Sequence, residues 1–205
     1  MCYNTRMVLG YHVILTAYGF WLPNDPRGSW SDFVGSYELY QFGPATKVHT
    51  TRSVAHVPYD RAARLAAKQA LQYEPVRFSG RQAVLIARGI GEVAAHWSLP
   101  IHACSILPDH AHLVIARTDR EIGIVVNQLE GRASLQMSRA GMHPFQHVVG
   151  RRGKRPSPWA ARGWAVYIDN TEYLRRAIAY VERNPVKHGF KPQGWSFVTA
   201  WEGPA

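Results

Sequence analysis

The period of the hydrophobic positions changes along the chain, and each change marks an element. YHVILTAYGF, Tyr11 to Phe20, is dense in β-branched and aromatic residues and runs into a glycine. It predicts a first strand near 11–18. Turn signals follow in LPNDPRGS and FGPATK, and the Ala-rich DRAARLAAKQALQ between them and Phe78 predicts a helix. Ile86, Ile90, Val93 and Trp97 then recur at helical spacing. Ser79 and Gln82 form a capping box at the start of that helix, and Pro100 stops it. IHACSIL and HAHLVIA read as two strands of a hairpin turned at Pro108-Asp109. Thr118 and Glu121 predict a second capping box, opening a helix that carries Ile122, Val125, Val126 and Leu129. GWAVYID predicts a last strand. Asp169 and Glu172 predict the cap of a final helix that ends at Pro185.

The order is β, insertion, α, β, β, α, β, α. Its βαββαβ core predicts an α+β, ferredoxin-like antiparallel sheet with helices packed on it, plus a C-terminal helix. The insertion spans about 24–78. A chain of 205 residues with 46% hydrophobic residues is read as one domain, 1–205, able to bury a core. No apolar run is long enough to span a bilayer, and the N-terminus lacks the order of a signal peptide, so a cytoplasmic location is expected. Cys2 and Cys104 are far apart and outside any CxxC pair, as free thiols would be.

Charge adds a partner class. The formal net charge is +10, which favours polyanions such as nucleic acid. Between Glu130 and Gly163 one acidic residue faces seven basic ones, among them Arg151, Arg152, Lys154 and Arg155. RRGKRPSPWAARG is too rich in Gly and Pro for a helix and reads as a mobile basic loop, about 139–163. A merely solvated loop is the alternative.

Candidate chemistry begins in ILPDHAHLVIA, Ile106 to Ala116. Residues i and i+2 of a strand share a face, so His110 and His112 project together while Ala111, Leu113 and Ile115 point into a core. Two such imidazoles can grip one divalent cation. In a chain with ten His the spacing alone is a weak signal, and on spacing alone two ordinary half-buried histidines are the leading reading. The role of His12, on the first strand, is left open.

TEYLRRAIAYVERNPVKHG raises the interest of that pair. At 100° per residue, Tyr173, Ala177, Tyr180 and Asn184 form one band, and Leu174, Ile178 and Val181 form another. The second suffices to bury the helix, so the first is free for another purpose. It offers a hydroxyl, an amide oxygen and flanking guanidiniums from Arg176 and Arg183. The bland alternative is a core-edge tyrosine and an asparagine that ends the helix.

The two segments together resemble the single-tyrosine HUH transposases, of the kind found in insertion sequences and as REP-associated tyrosine transposases. LPDHAHLVI stands where that family typically has MPNHVHLLV, and YVERNPVKHGF where it has YIHxNPVKAGL. The likeness covers about 11–30, 82–116 and 163–190. It implies that His110, His112 and Asn184 hold a divalent ion, Mg²⁺ or Mn²⁺, and that Tyr180 is the nucleophile. The implied reaction is cleavage and strand transfer of single-stranded or hairpin DNA through a 5′-phosphotyrosine. Asp109 replaces the usual Asn, and no effect on the metal is expected from it. Arg176, Arg183, Lys187 and the basic loop would hold the DNA. Trp21 and Trp30 are candidates for base stacking. A non-catalytic, domesticated DNA- or RNA-binding protein and a metal-dependent hydrolase remain rival readings. Monomer and homodimer both remain open.

Overall fold

The structure is a computed structural model of the 205-residue chain. It describes residues 7–20, 22, 39, 41–42, 60–150, 153–160 and 163–203. Much of the expected insertion, Trp21, Trp30, Arg151 and Arg152 therefore lie outside the described residues.

Strands β1 (Gly10–Thr16), β2 (Ile101–Ile106), β3 (His110–Ala116) and β4 (Trp164–Ile168) form a sheet in the order β2-β3-β1-β4. All three neighbouring pairs are antiparallel. Helices α1 (Arg61–Gln69), α2 (Gly80–Trp97), α3 (Ile122–Arg139) and α4 (Thr171–Lys187) complete the described elements. Without α1 and α4 the order is βαββαβ with the outer strand pairing of a ferredoxin-like α+β fold. No helix among the described residues is long and apolar enough to cross a membrane.

The alternation of β1 and β3 separates two cores. Tyr11, Val13 and Leu15 join Ala111, Leu113 and Ile115 on the face covered by α2 and α3. There Gly89 permits close helix packing, since a Cβ on it would stand 2.5 Å from the Ala133 nitrogen. Val114 and Ala103 face the other way, against Leu174, Ala177 and Val181 of α4. Burying Leu174 and Val181 stabilises this docking by roughly 1.5–3 kcal/mol per side chain.

The local signals were realised unevenly. Ser79 and Gln82 form both bonds of the capping box, Gln82 N–H to Ser79 Oγ and Ser79 N–H to Gln82 Oε1. The box expected from Thr118 and Glu121 is absent: Glu121 occupies the cap position without a side-chain bond, and Thr118 Oγ1 accepts from Arg120 N–H instead. The last helix is capped by Asn170, which accepts from Tyr173 N–H, rather than by Asp169. It also runs through Pro185 to Lys187. A proline ring disturbs the turn before it, but the helix resumes because His188 N–H still reaches the Asn184 carbonyl at 3.2 Å.

The basic stretch contains no α-helix among its described residues 140–150, 153–160 and 163, as its Gly and Pro content suggests. Part of it is firmly tied. Trp159 is buried, its indole N–H donates to the Glu130 carbonyl and Ser134 Oγ, and it bridges to Ala17.

Candidate active site

Antiparallel register places His12 and Ile14 of β1, Ser105 of β2, and His110 and His112 of β3 on the sheet face under α4. The histidine pair is not on an open face. His110 is 8% and His112 5% exposed, because α4 lies across β2 and β3. The two rings stand edge to face, 4.7 Å between centroids.

Helix α4 buries one band rather than presenting two. Leu174, Ala177, Val181 and Asn184 are all buried, spanning about 80° at 100° per residue. That band lies between the two stripes expected from the sequence, so Ala177 and Asn184 face the sheet instead of a separate polar surface. Tyr180 sits at the band's edge, 44% exposed. Its ring meets His112 at 5.4 Å and His12 at 6.0 Å, edge-on in both cases. Asn184 is one turn further along, 1% exposed, and both its amide nitrogen and oxygen lack hydrogen-bond partners. An unpaired buried amide costs about 1–3 kcal/mol per group, so a ligand at this position would relieve a standing penalty.

Hydrogen bonds orient both imidazoles. His110 Nδ1 lies 2.8 Å from Asp109 Oδ1. An ionised carboxylate only accepts, so His110 presents its Nδ1–H to Asp109 and turns Nε2 away from it. His112 Nδ1 lies 3.0 Å from His12 Nε2. With His12 as acceptor, His112 keeps its Nε2 lone pair. Burial holds His12 down to about 4 and His112 well below the usual imidazole range, the latter helped by His110, His12 and His188. Neutral imidazoles are what a metal requires. Among the described residues no three His, Cys, Asp or Glu side chains gather as a ligand set. The groups of this region that could serve as ligands to a divalent ion are His110, His112 and the Asn184 amide oxygen, which has no hydrogen-bond partner.

Asp109, His12 and Phe20 are contributions that motif reasoning did not assign. Phe20 stacks on His110 at 4.9 Å. No effect of Asp109 on a metal was expected; the structure shows its carboxylate in hydrogen-bond contact with His110. Its adjacency to His110 was the available signal.

The cations are distributed differently. Arg176, Arg183 and Lys187 are exposed on α4, with Arg176 paired to Glu172 at 3.3 Å. Lys154 and Arg155 are exposed, and Arg155 donates to Ser138 Oγ near the end of α3. Cys104 is buried and unpaired by disulfide.

No family model matches the chain, and no curated protein does. Among solved structures, a REP-associated tyrosine transposase bound to a REP hairpin is similar over 93% of this chain and 76% of its own, with a TM-score of 0.48 and 14% identity. A protein from Deinococcus radiodurans R1 assigned as a transposase is similar over 90% and 95%, with a TM-score of 0.39 and 14% identity. Both likenesses are too distant to carry an argument about activity, which must rest on the side chains of this chain.

Proposed function

We propose that the protein cuts and rejoins single-stranded DNA, recognising hairpin-bearing strands, by covalent transfer to Tyr180. The observation that carries this reading is the half-exposed Tyr180 phenol ring over His112, with the unpartnered Asn184 amide buried one turn away. The Tyr180 hydroxyl, the two imidazoles of β3 and the Asn184 amide are all carried by α4 and the strand it packs on.

A divalent ion held by His110, His112 and Asn184 would supply Lewis-acid polarisation of the scissile phosphate. Tyr180 supplies the nucleophile. Its oxygen bonds to phosphorus, the 3′-oxygen leaves with a proton, and a 5′-phosphotyrosine remains. The phosphoester is conserved, so a 3′-hydroxyl can reverse the step and join new ends. Burial raises the Tyr180 phenol above its usual range, which leaves less phenolate at neutral pH. The reaction therefore needs help in removing that proton. His12 and Asp109 act by orienting His112 and His110. Exposed Arg176, Arg183 and Lys187 on the same helix are suited to neighbouring phosphates, with Lys154 and Arg155 further along the strand.

The test is to incubate the protein with Mn²⁺ and a labelled single strand carrying a hairpin. A band surviving SDS supports covalent transfer. Turnover without a trapped band supports the hydrolase reading, and salt-sensitive binding with neither supports a binding protein.

A further inference from the structure

Beside the histidine pair lies a cavity of about 170 Å³ that the chemistry above does not use. Arg64 and Lys68 line it from α1, and Arg77 lines it from the segment entering α2. Leu22, Pro75 and Val76 supply apolar surface. We propose that this cavity seats one unpaired nucleotide of the DNA strand, next to the phosphodiester presented to Tyr180. The proposal rests on the DNA-processing reading and assigns a role to α1, part of the segment between β1 and α2.

Three observations carry it. The first is charge: among the described residues, three cations and one carboxylate, Asp109, line the cavity. That carboxylate is already engaged by His110 and lies 3.9 Å from Arg77. Lys68 and Arg77 are cations suited to a phosphate. The second is shape. A cavity lined by both apolar side chains and cations fits a flat base with its phosphate, and an unpaired base enters at the lowest unstacking cost.

The third is continuity. Phe20 lines the cavity and stacks on His110, so one aromatic wall is shared with the candidate metal site. Asp109 is shared in the same way. The back wall is fixed, since Val76 N–H donates to the Tyr18 carbonyl at 2.9 Å and Phe78 N–H to the Pro108 carbonyl at 2.6 Å. Gly19, at φ +78°, allows this approach: a Cβ there would stand 3.0 Å from Pro75. A strand crossing from the cavity to Tyr180 would pass His110.

The experiment uses full-length Tyr180→Phe protein, which binds without cutting, and single strands each carrying one 5-iodouracil. Irradiation should crosslink one position, within a few nucleotides of the junction, to Phe20 or His110. In parallel, Lys68→Gln combined with Arg77→Gln should weaken single-strand binding about tenfold and reduce the salt slope by about 1.4, two phosphate contacts' worth. Crosslinks confined to residues 139–163, or a double variant that binds with unchanged affinity and slope, would overturn the proposal. Neither readout requires cleavage. A missing adduct in native protein with the crosslink intact would sink the transfer chemistry and leave the nucleotide seat standing.

Discussion

His12 Nε2 and His112 Nδ1 are 3.0 Å apart across the β1–β3 pair, one imidazole holding the other. This contact decides which nitrogen of His112 faces the candidate metal position. Replacement of His12 by Gln keeps an acceptor, whereas Phe removes it. We expect His12→Phe to weaken Mn²⁺ binding roughly 10–100-fold, the usual effect of losing an outer-shell partner, and His12→Gln to restore much of it. Titration calorimetry measures the affinities. The ¹⁵N shifts of His112 report the tautomer, which should be Nδ1–H in the native protein. An Nε2–H tautomer there would contradict the orientation argued from this contact.

Asp109 makes the matching contact to His110 at 2.8 Å. Asp109→Ala should lower Mn²⁺ affinity by a similar factor, while Asp109→Asn, whose amide oxygen still accepts, should lower it less. Equal losses in the two variants would mean that charge, and not orientation, is what Asp109 contributes.

The buried histidines predict a pH dependence of stability in metal-free protein. Both His12 and His112 have folded-state pKa values below the unfolded value of about 6.5. The unfolded chain then binds protons that the folded chain does not. Their contribution is fully present above about pH 6.5 and declines as pH falls towards about 4. Urea midpoints should drop over that window, and His12→Gln should flatten the drop. A midpoint that stays level from neutral to mildly acidic pH would speak against buried neutral imidazoles.

Glu130 acts in the opposite sense. Burial pushes its carboxyl up to about 8, and its Oε1 has no hydrogen-bond partner. Its stabilising contribution is present below the unfolded pKa of about 4.5 and is lost as pH rises towards about 8. Glu130→Gln, nearly isosteric and neutral, should raise the melting temperature, with the gain widening from acidic to alkaline pH. A gain independent of pH would show that Glu130 is ionised in the fold.

Local chemistry was readable in part, at Ser79 and Gln82 but not at Thr118 and Glu121, and long-range register was not. Ser79 and Gln82 lie three residues apart and formed their box as expected. The shared direction of His110 and His112 follows from strand period alone. The partner of His112 depends instead on β1 pairing with β3 across about a hundred residues, which no local pattern encodes. Helical wheels placed Tyr180 and Asn184 together on a free face and assigned burial to the Leu174, Ile178 and Val181 stripe alone. The docked helix settled between the two, burying Asn184 and leaving Tyr180 at the edge. Pro185 looked like a stop because proline disrupts the preceding turn, yet docking of α4 through Leu174 and Val181 carried the helix past it.

The central claim is that Tyr180 becomes bonded to DNA. Native protein incubated with Mn²⁺ and a hairpin-bearing strand is denatured, digested and analysed by mass spectrometry. The account predicts a nucleotide mass on the peptide carrying Tyr180, and loss of the adduct in Tyr180→Phe protein that still binds the strand. An adduct on another residue, such as Tyr173 or Tyr167, or an undiminished adduct in Tyr180→Phe, would contradict it.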